Sequence, residues 1–193
     1  MAILVLGLVI FLGLHSTRIV SENGREKAIA RIGEGPWKGI YSLISVIGLV
    51  LIVRGFAQAR FEAPQLWTPL PGARHITMLL MLVALILFAS YLFKRSHITV
   101  AVHHPMLWSV LLWSAGHLIA NGSAADLVLF GAFLVWSAAD LASAYARDRR
   151  NGVVYPAPQL AATAGAVVAG LVVYALLIGG LHLWLFGVSP LAG

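Results

Sequence analysis

The residues with most scope for chemistry are histidines set in and beside apolar runs. His15 lies near the end of the first such run, MAILVLGLVIFLGLH, and His117 lies inside LWSVLLWSAGHLIA. His103 and His104 stand side by side before Pro105. Imidazole is the commonest metal ligand among side chains and titrates near neutral pH. An ionisable group within a membrane helix is costly, so each is a functional candidate. By that test Arg54, Asp126 and Asp140 also count, with Glu62, His75 and His182 near helix ends.

Three of these have an ordinary structural account. Arg54 is within reach of its helix end and can snorkel. Asp126 follows Ser123 and reads as an acid at a helix N-terminus. Asp140 lies near the basic end of its helix, where it is expected to pair with Arg147 or a loop arginine.

The elements that must position the histidines are membrane helices. The chain of 193 residues is 60% hydrophobic and 10% charged, against about 25% charged in soluble domains. Its mean hydropathy is +0.91. One aqueous fold cannot hide so much apolar surface, so the fold class is an all-α polytopic membrane bundle. About six transmembrane helices are predicted, near 2–20, 39–59, 74–93, 105–121, 125–143 and 160–187. Residues 1–193 form a single transmembrane domain. The first helix reads as retained, because no basic stretch precedes it and no small-residue cleavage site follows.

Asn121-Gly122-Ser123 joins helices four and five as a tight antiparallel hairpin. The sixth helix is overlong and is expected to tilt or to break near Gly179-Gly180. Ala162, Ala166 and Gly170 recur every fourth position, a spacing that admits a close neighbouring helix. Charge sets the orientation. The connections after helices one, three and five hold Arg18, Arg25, Lys27, Arg31, Lys38, Lys94, Arg95, Arg147, Arg149 and Arg150. The other side has Arg54, Arg60 and Arg74. Ten against three predicts an external N-terminus and cytoplasmic basic loops. Trp37 at the inner interface and Trp67 and Trp184 at the outer one fit aromatic belts.

The net charge of +6 therefore points to anionic lipid headgroups, not to nucleic acid. The absence of cysteine excludes disulfides, zinc ribbons, thiolate-held iron–sulfur clusters and cysteine nucleophiles.

Depth brings His15 and His117 toward one level. His15 lies about 20 Å below the outer face and His117 about 18 Å above the inner one, at about 1.5 Å per residue. In a core about 30 Å thick, those levels differ by roughly 8 Å. Side-chain reach and tilt can span that, so a metal or haem iron could be held by both. His104 is about 20 Å along its helix from His117, too far to share one ion. His104 precedes Pro105 at a helix start, where an N-terminus attracts anions. With Lys94, Arg95 and His97 nearby, this cytoplasmic mouth could hold a phosphate or carboxylate; a solvated cluster is the plain alternative. Arg18 shares a helix face with His15. Glu34, in the Gly/Pro-punctuated stretch RIGEGPWKGIYS, could pair with Arg18 or a mouth histidine.

Over nearly its whole length the chain resembles the NnrU family. The resemblance rests on GLHSTRIV, GEGPWKGIYSLISVIGLVLIVRGF, LWTPL, VHHPMLW and WSAGHLIANG. It implies a protein of the bacterial inner membrane linked to denitrification, where the family is associated with producing active nitrite and nitric oxide reductases. Reductase components or electron donors are the implied partners, alongside the lipid bilayer. The related plant and cyanobacterial zeta-carotene isomerase holds haem b with two histidines. Its ligand stretches resemble LHSTR and WSAGH, which implies His15 and His117 as metal ligands here. Arg18, on the face of His15, and His104, at the mouth, are further cofactor-binding candidates. Where the isomerase has a cysteine this chain has Ser114, so the likeness supports haem b more than isomerisation.

A second likeness is to membrane isoprenylcysteine and thiol S-methyltransferases, which open a helix with Arg-His-Pro and bind S-adenosylmethionine there. This chain reads His103-His104-Pro105, and DLASAYARDRRNG lacks their Glu-Glu motif. Three functions are thus expected to compete: a haem-b protein of nitrogen-oxide respiration, a membrane enzyme with a lipophilic substrate, and a haem-free assembly factor.

Overall fold

A computed structural model describes residues 1–191. The chain is all-α among those residues. It forms α1 (Ala2–His15), α2 (Thr17–Val20), α3 (Glu22–Ile32), α4 (Glu34–Glu62), α5 (Ala73–Ser90), α6 (His97–Val102), α7 (Pro105–Ala120), α8 (Ala124–Asn151) and α9 (Leu160–Leu176). A π-helical turn, Leu177–Leu181, leads into α10 (His182–Phe186). Four helical stretches are long and apolar enough to cross a membrane: α4, α5, α8 and Leu160–Phe186. Ala2–His15 and Pro105–Ala120 are shorter and equally apolar in character. The outward faces carry bare hydrocarbon, as with Leu43 at 62% and Val53 at 59% exposed. A fold stable in water would bury such a face; in lipid it is the solvated one.

The described residues cluster into two compact units. The first comprises Met1–Thr68 and Asn121–Ser143; the second comprises Pro69–Ala120 and the chain from Ala144 on.

In the first unit α1 packs along α4. The contact depends on the missing side chains of Gly7 and Gly55. A Cβ at Gly7 would stand 2.6 Å from the Ile52 nitrogen, and one at Gly55 would run into the Leu4 backbone. Such close approach replaces hydrophobic driving force, which helices lack in lipid, with dispersion contact. Leu4 and Ile52 are buried in consequence. The first part of α8 adds aromatic contacts, with Phe11–Phe133 and Phe56–Phe130 centroids both at 6.0 Å. The Gln65–Ser123 bridge pins the extended chain before α5 to the α7–α8 turn, where the Gly122 carbonyl accepts from the amides of Leu66 and Trp67.

The first apolar segment is shorter than the predicted 2–20. Helix α1 ends at His15, and α2 is a separate turn. At this break the Ser16 hydroxyl donates to the Leu12 carbonyl and that of Thr17 to the Leu14 carbonyl. The basic stretch that follows is not a loop but α3, capped at Ser21, whose Oγ accepts from the Gly24 amide at 3.1 Å.

In the second unit α5 packs against α7 and α9. Ala166 is fully buried, and a Cβ at Gly170 would sit 2.6 Å from the Ile86 Cα, so the small-residue spacing of the sixth segment is a packing seam. That segment breaks where expected: Gly180 has φ 132° inside the π-helical turn. The predicted N-terminal acid of helix five is also seen, since Asp126 Oδ2 accepts from Ser123 Oγ at 2.6 Å and from its amide at 3.0 Å.

Candidate functional site

His15 and His117 present the same local chemistry, each in its own unit. His15 Nδ1 is 2.7 Å from the Phe11 carbonyl, and His117 Nδ1 is 2.8 Å from the Trp113 carbonyl. A carbonyl only accepts, so the proton sits on Nδ1 and the lone pair on Nε2. Metal-bound histidines commonly have this arrangement, with the second nitrogen donating to a carbonyl. Both residues are half-buried. The His15 ring stacks on Phe11 at 4.2 Å, and the edges of Tyr41 and Trp136 approach at 5.3 and 6.1 Å. Trp113 lies 5.4 Å from the His117 ring. Each imidazole, with its aromatic neighbours and its proton on Nδ1, could hold a metal-bearing cofactor. No group of three or more His, Cys, Asp or Glu positioned for a metal ion occurs among the described residues.

Arg18 and Glu34 have local partners. Arg18 Nε lies 3.7 Å from Glu22 Oε1, and Glu34 Oε1 lies 2.8 Å from Lys38 Nζ. Glu34 is thus bonded one helical turn along α4, rather than to Arg18 or a mouth histidine. Both are exposed i,i+4 pairs that contribute little to stability.

The richest polar cluster is in the second unit, where α6 gives way to α7. Pro105 opens α7 and α6 ends at Val102, so two residues must reverse the chain. His103 does this at φ 60°, ψ −48°, and the His104 amide donates to the Val102 carbonyl at 2.6 Å. This is a γ-turn with positive φ, a strained conformation for any residue with a Cβ. His103 is the only non-glycine at positive φ among the described residues. Such strain persists only where surrounding contacts hold it, and it concentrates at functional sites.

Those contacts come from the last turns of α8 and the chain after it. Tyr145 Oη donates to the Val102 carbonyl at 2.7 Å and accepts from Trp108 Nε1 at 2.9 Å. The Tyr155 ring stacks on His103 at 4.1 Å and 13°. Its hydroxyl donates to Asp148 Oδ2 at 3.0 Å. The same oxygen lies 3.0 Å from His104 Nε2. That approach is off the axis of an aligned hydrogen bond, and it becomes an ion pair only when the imidazole is protonated.

Burial pushes the His104 imidazole below its ordinary value, and His103 and Arg147 add to the lowering, while Asp148 acts against it. Burial pushes the Tyr155 phenol up to about 12, with help from its bond to the Asp148 carboxylate. The mouth therefore holds a neutral-leaning base, a fixed carboxylate and a protonated phenol within contact of one another. Sequence reasoning found His103 and His104 but not Asp148, Tyr145 or Tyr155. The signal was present in YARD, residues 145–148, where Tyr145 and Asp148 share a helix face at i,i+3.

No curated protein matches the chain significantly, and no solved structure does. The model of the family described as NnrU protein matches residues 3–190, nearly every residue of both units. The chain belongs to the NnrU family.

Proposed function

We propose that this chain is a bacterial inner-membrane protein of nitrogen-oxide respiration that binds haem b through His15 and His117. The observation that carries this reading is the matched pair of Nδ1–carbonyl bonds, which leaves Nε2 of both imidazoles as the basic nitrogen. The role of the chain is to hold and orient. Phe11, Tyr41 and Trp136 fix the His15 ring and keep water from it, and the apolar helices lower the local dielectric. Bound haem would supply one-electron redox chemistry and an iron open to tuning by these ligands. Family membership supports the link to denitrification, with reductase components or electron donors as partners.

The test is the haem content of the detergent-purified protein by pyridine haemochrome assay. About one haem per chain, lost in His15→Ala and in His117→Ala, is the expected result. Haem-free protein from cells with ample haem, co-purifying with a reductase subunit, would replace this reading with that of an assembly factor.

The mouth cluster favours one second reading, a membrane enzyme acting on a lipophilic substrate. A half-buried His104 beside Asp148 is suited to moving a proton at a membrane surface. A methyltransferase of this kind predicts saturable S-adenosylmethionine binding that weakens in His104→Ala.

A further inference from the structure

In the first unit, a cleft of about 400 Å³ lies where α1 gives way to α2 and α3. It is lined by Gly13, Ser16, Thr17, Val20, Ser21, Gly24, Arg25 and Trp37. That volume is in the range of small-molecule sites, about 300–1,000 Å³. Its walls select the occupant. The Ser16 and Thr17 hydroxyl protons are already committed to the Leu12 and Leu14 carbonyls, and Ser21 Oγ caps α3. The polar residues of the wall therefore have little to offer a hydrophilic guest. Gly13 contributes no side chain, and space lies open where its Cβ would be. Val20 is 82% exposed, and Trp37 contributes an aromatic ring to the lining. Arg25 is the one charged residue on the lining.

We infer that this cleft binds one anionic phospholipid, with an acyl chain along Gly13, Val20 and Trp37 and the phosphate on Arg25. Charge complementarity favours it over a zwitterionic lipid. On α3, Lys27 and Arg31 accompany Arg25. Of the acids nearby, Glu22 pairs with Arg18 and Glu34 with Lys38. Glu34 lies within electrostatic reach of Arg25 without bonding it, and Glu26 is the remaining acid of α3. The local balance stays positive, on the side that the lysine and arginine count assigns to the anionic cytoplasmic leaflet. An aromatic ring beside the headgroup level is where tryptophan anchors in membranes.

The experiment is native mass spectrometry of the purified full chain, with phosphatidylglycerol against phosphatidylcholine of identical chains. The wild type should retain one phosphatidylglycerol with about fivefold preference, the size expected for one basic residue at a membrane surface. Arg25→Gln should abolish the preference while unfolding at the same temperature, since the residue is partly exposed. Gly13→Leu should lower retention of both lipids by filling the space. Millimolar inorganic phosphate should not displace the lipid; displacement would mean an anion site without a chain and would overturn the assignment. Equal retention of the two lipids by the wild type, or an unchanged preference in Arg25→Gln, would also overturn it.

Discussion

One carboxylate oxygen, Asp148 Oδ2, stands 3.0 Å from His104 Nε2 and accepts the Tyr155 hydroxyl at the same distance. The two contacts tie the start of α7 and the chain before α9 to the end of α8. Burial of the groups they join makes the mouth sensitive to pH from both directions.

On the acid side, the His104 imidazole titrates below its ordinary value of 6.5 because burial disfavours the imidazolium. Between the lowered value and 6.5 the unfolded chain binds more protons than the folded one. Stability therefore falls as pH drops through that window. Asp148→Asn removes the attraction that opposes the lowering, so His104 should titrate lower still. Imidazole proton shifts in a histidine-labelled sample check this; an upward move would contradict the electrostatic pairing.

On the alkaline side, Tyr155 is pushed up to about 12 from an ordinary 10. The folded state keeps the proton longer, so this contribution is complete below pH 10 and is lost as pH rises toward 12. Tyr155→Phe retains the stack on His103 but removes the donor to Asp148. It should destabilise the protein by about 1 kcal/mol and flatten the alkaline limb. Phenolate absorbance sums over the five tyrosines, so the wild-type minus Tyr155→Phe difference isolates this titration, and a midpoint near 10 would contradict the raised value.

Much of this architecture is legible in the sequence, because lipid imposes simple rules. Apolar length marks candidate spans, Pro105 marks a helix start, Asn121-Gly122-Ser123 marks the short connection between α7 and α8, and Gly179-Gly180 marks a break. Helix ends are less legible. Helix α8 runs on to Asn151, about two turns past its apolar stretch, and those turns carry Tyr145 and Asp148 to the mouth. Nothing apolar in DLASAYARDRRN signals that extension. The γ-turn at His103 is equally hidden, since no residue type advertises a strained conformation that its neighbours hold in place. The intimacy of α1 and α4 depends on Gly7 and Gly55, which in sequence are only two of 19 glycines without a regular spacing.

The strain at His103 can be separated from its stacking. His103→Ala keeps the positive φ and loses the Tyr155 stack, whereas His103→Gly loses the stack and relieves the strain. The glycine variant should be the more stable of the two by about 1 kcal/mol, despite the usual entropic penalty of glycine. Thermal unfolding in detergent compares them; an alanine variant equal to or better than glycine would mean the turn is not under strain.

The central claim is that His15 and His117 act as the two ligands of one haem b. Its most direct test is the dithionite-reduced minus oxidised absorption spectrum of the purified protein, recorded beside His15→Ala and His117→Ala. A low-spin b-type spectrum in the wild type, lost or converted to high spin in each variant, is the expected result. A colourless wild type, or a spectrum indifferent to both substitutions, would contradict it.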